Sequence, residues 1–191
     1  MSAILLTVLT LAKAGDNVIS LNTIYGGTFN LFNVTLRKYG IETRFITPDD
    51  DAETIEKLID DKTKLVYTET IGNPSMVVLD FDVYAKVCKK HGLPFIVDNT
   101  LATPVLCRPF EHGANIVVHS STKYFDGHAS CVGGLVVDGG NFDWENNPRF
   151  KDFVEPDESY HGVVYVKEGG MAAFILKARM QLMRDIGAIM A

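Results

Sequence analysis

Short β-rich runs alternating with helical stretches constrain this chain more than any other feature of its sequence. Residues 17–21, 43–46, 64–67, 94–97, 115–118 and 134–137 read as strands, and about 28–39, 52–59 and 81–91 read as helices between them. Strands that are apolar along their whole length are buried on both faces. The pattern therefore predicts an α/β fold, a mostly parallel mixed sheet with helices on both faces. Parallel strands end on one edge, where proteins of this class bind ligands. Two further helices are predicted at 1–14, ended by Gly15, and at 171–186, ended by Gly187. Between Asp138 and Glu168 the sequence is irregular and aromatic, with Phe142, Trp144, Phe150, Phe153, Tyr160 and Tyr165. That segment is expected to pack against the body or a partner subunit. No repeat, low-complexity tract or linker divides the chain.

Composition narrows the function classes. At 47% hydrophobic and 22% charged residues, 191 residues can bury one sizeable core. Lysine plus arginine is 18 against 24 acidic residues, a net charge of −6, which argues against a nucleic-acid partner. Cys88, Cys107 and Cys131 form no C-x-x-C pair, so neither a disulfide framework nor a zinc site is expected, and reduced thiols in the cytoplasm are the default. The apolar N-terminal run lacks a basic start and falls short of the roughly 20 residues of a bilayer span. It starts at the first residue with only Ser2 to cap it, and the other end runs out in an apolar tail, 188–191. Both ends read as cut from something larger.

Three stretches at predicted strand ends carry chemistry. His119-Ser120-Ser121-Thr122-Lys123-Tyr124 follows an apolar strand. A lysine there, with hydroxyls at minus one and minus three, suits a phosphate-bearing aldehyde cofactor: the amine forms a Schiff base and Ser120 and Thr122 hydrogen-bond the phosphate. In Val97-Asp98-Asn99-Thr100 an unpaired carboxylate ending a buried strand is costly, and a pyridinium nitrogen is a natural partner. In Tyr25-Gly26-Gly27-Thr28 the glycines permit close backbone approach, and the tyrosine can stack on a flat ring.

With these residues in place the chain resembles the pyridoxal-phosphate enzymes of cysteine and methionine metabolism, of fold type I. The shared pattern is Tyr25-Gly26-Gly27-Thr28-Phe29, Glu69-Thr70-Ile71-Gly72-Asn73-Pro74, Val97-Asp98-Asn99-Thr100 and Ser120-Ser121-Thr122-Lys123-Tyr124. Gly139-Gly140-Asn141-Phe142-Asp143-Trp144 and Glu155-Pro156-Asp157-Glu158-Ser159-Tyr160-His161-Gly162 point to its O-acetylhomoserine sulfhydrylase subgroup. The resemblance covers essentially the whole chain.

The resemblance implies that Lys123 is the Schiff-base lysine and α-proton base, and that Asp98 pairs with the ring nitrogen. Tyr25 stacks on the ring and assists the leaving group. Ser120, Thr122 and the backbone at Met1 hold the phosphate, and Asn73 reaches the ring hydroxyl. The implied reaction is γ-replacement on O-acetylhomoserine by sulfide or a thiol, with γ-elimination, or a catalytically inactive fragment, as alternatives. It also implies a cytoplasmic homo-oligomer, a dimer of dimers. Residues 1–191 would be the cofactor-binding large domain, lacking the glycine before Met1, an upstream Tyr/Arg segment and the C-terminal small domain.

Plainer readings exist for each residue. A lone lysine after a strand is solvated roughly nine times in ten. Asp98 could cap residues 99–104, and Tyr25 could be a packing aromatic. Ser120-x-x-Lys123 fits the S-x-x-K of penicillin-binding enzymes, but no helix is predicted after the serine and no Lys-Thr-Gly partner exists. His112, His119, His128 and Cys107 match no metal-ligand spacing. Gly133-Gly134 suits a tight turn into a strand better than a nucleotide loop.

Overall fold

Residues 1–187 are described by the computed structural model, so the apolar tail at 188–191 lies outside them. Helix α1 (Ser2–Leu11) buries Ala3, Ile4, Leu6, Val8 and Leu11, and it is apolar on nearly every side. Its two buried threonines bond back along their own helix, Thr7 to the Ala3 carbonyl at 2.8 Å and Thr10 to that of Leu6 at 2.6 Å. The chain then alternates through β1 (Asn17–Leu21), α2 (Gly26–Asn30), β2 (Glu42–Ile46), α3 (Ala52–Lys57), β3 (Thr63–Glu69), α4 (Phe81–His91), β4 (Phe95–Asp98), α5 (Thr103–Leu106), β5 (Ile116–Ser120) and β6 (Gly134–Asp138). All six predicted strands form. Four of them end later than the sequence indicated, because Glu69, Asp98, Ser120 and Asp138 are the last residues of β3, β4, β5 and β6.

The sheet runs β2-β1-β3-β4-β5-β6. The four pairings from β2 to β5 are all parallel, and only β6 runs antiparallel to its neighbour. The chain leaves β1 toward β2 and returns to β3 on the other side. Strand order therefore reverses between β1 and β3, the position where open α/β sheets form a ligand crevice at their carboxyl edge.

Helix α4 is fixed at both ends by its sequence. Asp80 caps the N-terminus by accepting the Asp82 N–H at 3.1 Å, and Gly92, left-handed at φ 61°, ends it. Two predicted helices are less regular than their apolar spacing suggested. Beyond Asn30, α2 continues through a π-helical stretch, Leu31–Leu36. The C-terminal helix runs as a 3₁₀ turn, α7 (Ala173–Lys177), a second π-helical stretch, Ala178–Met183, and α8 (Arg184–Ile186); a short α6 (Tyr165–Gly169) precedes it. Apolar spacing does not register one extra residue per turn, which is what a π-stretch inserts.

The aromatic segment packs on the protein's own body. Trp144 stacks on Phe153 with ring centroids 4.5 Å apart and on Phe174 of α7 at 5.9 Å, and Phe150 and Tyr165 are buried with them. Lys177 is buried there too, its ammonium donating to the Thr10 carbonyl at 2.9 Å and lying over the Phe153 ring.

Candidate active site

Strand register brings two acids side by side at the carboxyl edge: Glu69 of β3 is the partner of Asp98 of β4. Asp98 is 9% exposed. One of its oxygens accepts the Thr100 N–H at 3.0 Å and the Thr100 hydroxyl, and the other accepts the Tyr67 hydroxyl at 3.2 Å. Burial raises the Asp98 pKa, and the bonds from Thr100 and Tyr67 oppose that rise. The end of β4 is held from both sides, since Thr70 donates its N–H to the Asp98 carbonyl and Asn99 donates its own to Val118. Asp98 thus closes a local turn with Thr100. It does not cap the following helix, for the N-cap of α5 is Ala102.

Thr100 also reaches β5. Its hydroxyl oxygen accepts the Ser120 N–H at 2.8 Å, which ties the Asp98 carboxylate to the last residue of that strand. Ser120 pairs in register with Gly134, and a Cβ at Gly134 would stand 2.9 Å from that of Ala3. The N-terminal turn of α1, with Met1, therefore lies beside Ser120.

Across the β1/β3 crevice, the Glu69 carboxylate accepts the Tyr25 N–H at 2.8 Å. Glu69 is 7% exposed. Its pKa is pushed up to about 8, first by burial and then by the neighbouring Asp98 charge, against the opposing N–H groups of Tyr25 and Asn73. Both acids of the pair are therefore pushed up by burial, and Asp98 is the one opposed by hydroxyl donors. The Tyr25 ring is half-exposed and folds over Gly27, where a Cβ would come within 2.6 Å of Cε1. A Cβ at Gly72 would lie 2.5 Å from the Thr23 carbonyl, so the exposed Asn73 turn is packed closely against the residues leading into Tyr25.

Lys123 sits exposed in the turn that follows β5, its N–H donating to the Ser120 carbonyl at 3.3 Å. Thr122 closes the neck of this loop: its hydroxyl accepts the Gly133 N–H at 3.0 Å and donates to the Gly133 carbonyl at 3.3 Å. Ser120 ends a strand and is followed by turns, the wrong setting for an S-x-x-K serine. His119 is buried against Phe125 with centroids 4.8 Å apart, and burial lowers its pKa.

The structure thus links Asp98, Ser120 and the start of α1 on one side, and Tyr25 to Asp98 through Glu69 on the other. It leaves Asn73 and Lys123 exposed, and it engages the Thr122 hydroxyl within its own loop. Sequence reasoning gave no role to Glu69, Tyr67 or Thr100. Glu69 carried the same signal as Asp98, an acid ending a buried strand. Tyr67 and Thr100 became meaningful only through the register. Among the described residues no three His, Cys, Asp or Glu side chains are grouped as a metal site. None of the described helices is long and apolar enough to cross a membrane.

A mostly parallel sheet with a buried acid pair, a glycine-backed tyrosine and a lysine-bearing turn at one edge defines a ligand-binding α/β domain. The chain belongs to the family described as Cys/Met metabolism PLP-dependent enzyme, which matches residues 1–190. It is 47% identical over 188 residues to sulfhydrylase FUB7 of Fusarium oxysporum f. sp. lycopersici, covering 97% of this chain and 43% of that protein. It is 47% identical over 188 residues to homocysteine synthase of Schizosaccharomyces pombe, covering 97% of this chain and 44% of that one. A solved O-acetylhomoserine (thiol)-lyase from Campylobacter jejuni, containing N'-pyridoxyl-lysine-5'-monophosphate, superposes with a TM-score of 0.95 at 38% identity. The match covers all of this chain and 47% of that one. This chain spans less than half the length of these relatives.

Proposed function

We propose that residues 1–191 are the cofactor-binding large domain of a pyridoxal-phosphate enzyme, and that the whole protein replaces the acetoxy group of O-acetylhomoserine with sulfide or a small thiol, releasing acetate. The observation that carries this reading is Asp98. It is a buried carboxylate at the carboxyl edge of the sheet, and among the described residues no lysine, arginine or histidine side chain pairs with it. Its chemistry fits a protonated ring nitrogen, and the Tyr25 ring lying over Gly27 fits a flat ring beside it. The names of the relatives support the choice of substrate and of replacement over elimination.

When bound, pyridoxal phosphate supplies an electron sink for the pair left when the substrate's Cα–H bond breaks. The protein's residues do the rest. The Lys123 amine anchors the cofactor, then takes the Cα proton and returns protons later in the cycle. Asp98 keeps a proton on the ring nitrogen, helped by the hydroxyls of Thr100 and Tyr67, which fix its carboxylate. Tyr25 stacks on the ring and gives a proton to the departing acetate oxygen at Cγ. Ser120 and the free N–H groups at the start of α1 take the phosphate. Thr122 contributes to that cup by holding the loop neck and, when its hydroxyl turns from Gly133, by a direct bond. Asn73 supports the ring hydroxyl.

We place the whole protein in the cytoplasm as a homo-oligomer. Three free thiols and the exposed Val105, Leu106, Tyr124 and Val132 support that reading. The test of function is chemical. With added pyridoxal phosphate the protein should turn yellow, and borohydride should fix the cofactor on the peptide containing Lys123. Lys123→Ala should abolish the label. Labelling at another lysine, such as Lys177, would sink the assignment.

A further inference from the structure

We infer that Glu69 is a positioning residue that sets Tyr25, and through it the leaving-group step, across the β1/β3 crevice. The inference rests on the reading of Tyr25 given above. Glu69 is an expensive residue for a sheet to carry. It is buried, it stands next to Asp98 in register, and among the described residues no lysine, arginine or histidine side chain neutralises it. An apolar side chain there would suit the core better.

What the carboxylate gains is a place at the crevice. It accepts the Tyr25 N–H at 2.8 Å, at the residue where the chain leaves β1's loop and turns into α2. Tyr25 is the N-cap position of α2, and its own N–H is held from across the sheet by Glu69. The Asn73 N–H acts on the same carboxylate. One buried side chain therefore bonds one candidate site residue, Tyr25, and adjoins another, Asp98. Gly27 and Gly72 clear the space that this arrangement needs, since a Cβ at either position would collide with Tyr25 or with Thr23. Fixing the Tyr25 backbone fixes where its ring begins, and Gly27 decides where the ring lies. Tyr25 would otherwise be a half-exposed side chain on a short loop.

The test compares Glu69→Ala, Glu69→Asp and Glu69→Gln with the wild-type chain. Hydrogen exchange without cofactor is measured first. Losing one acceptor should speed exchange of the Tyr25 amide about tenfold in Glu69→Ala. Glu69→Asp, which keeps the carboxyl group but withdraws the oxygen by one methylene, should do the same, and it decides the question should the alanine variant fail to fold. Glu69→Gln keeps an acceptor in reach and should restore wild-type exchange. With pyridoxal phosphate added, the circular dichroism of the bound cofactor should change in the alanine and aspartate variants and recover in the glutamine variant, because the stacked ring has moved. Wild-type exchange at Tyr25 in Glu69→Asp, or failure of folded Glu69→Gln to recover it, would overturn the inference. A wild-type chain that takes up no cofactor would defeat the cofactor reading alone, and the exchange data would still decide whether Glu69 holds Tyr25.

Discussion

Thr100 bonds Ser120 across the sheet edge: the hydroxyl that accepts the Ser120 N–H at 2.8 Å also donates to the Asp98 carboxylate. One small side chain thus couples the proposed ring end of the site to its phosphate end. Thr100→Val has nearly the same shape but loses both bonds. It leaves the Ser120 N–H and one Asp98 oxygen short of a partner, at a cost of about 1–3 kcal/mol. Thermal or urea unfolding should show that loss, and pyridoxal phosphate should bind roughly tenfold or more weakly. Thr100→Ser should recover most of both. A valine variant with wild-type stability and affinity would mean that the coupling is inert.

Asp98→Asn separates the ring partner from the local turn. The amide oxygen can still accept from Thr100, so folding stability should stay within about 1 kcal/mol of wild type. The amide cannot hold a proton on a ring nitrogen, so turnover of the whole protein should fall by roughly two or more orders of magnitude. A purely structural Asp98 gives the reverse, a lowered melting temperature with a normal rate per folded molecule. Measuring both on one preparation decides between them.

Gly27→Ala tests the room beneath Tyr25. The new methyl would stand 2.6 Å from Cε1, so the ring must swing away. Because that ring is half-exposed, it can move without disturbing the core, and the loss of stability should stay at or below about 1 kcal/mol. Cofactor affinity should drop more than stability does. In Tyr25→Ala, which already lacks the ring, adding Gly27→Ala should change little, and a double-mutant cycle reads the difference. Additive effects would show that the glycine and the ring are unrelated.

Much of this was legible in the sequence, for a physical reason. Strands buried on both faces must be apolar throughout, so β1, β3, β4 and β5 announced themselves, and the acid that interrupts such a run at Asp98 stood out against them. The antiparallel β6 and the strand order were not legible, because register between distant segments leaves no local mark. The same blindness hid Thr100 and Tyr67, whose hydroxyls look ordinary until β3, β4 and β5 are aligned. The loop-closing bonds of the Thr122 hydroxyl to Gly133 were equally invisible, because Gly133 is 11 residues away in sequence. The irregular aromatic stretch could be expected to pack, but only the fold shows Trp144 stacked on both Phe153 and Phe174.

The acid pair at the crevice makes stability depend on pH in a direction that can be stated in advance. Burial and the Asp98 charge push the Glu69 pKa up to about 8 from its ordinary value of 4.5. Between those limits the folded chain holds a proton on Glu69 that the unfolded chain has released. Stability then falls as pH rises, because the folded state binds more protons than the unfolded one. The contribution is fully present below about pH 4.5 and is lost as pH climbs through about 8, and it amounts to a few kcal/mol at most. Other carboxylates act oppositely at the acid end: Asp60, held below the usual range by Asn17 and Arg44 despite its own burial cost, loses its contribution as pH falls. The informative window is therefore about pH 6 to 8, above those lowered carboxylates and just below the point where Glu69 ionises in the folded chain. Urea unfolding of the cofactor-free chain across that window should show declining stability in the wild type and a flatter profile in Glu69→Gln, which has no proton to lose. Parallel slopes in the two proteins would place the titrating group elsewhere and return Glu69 to an ordinary buried carboxylate.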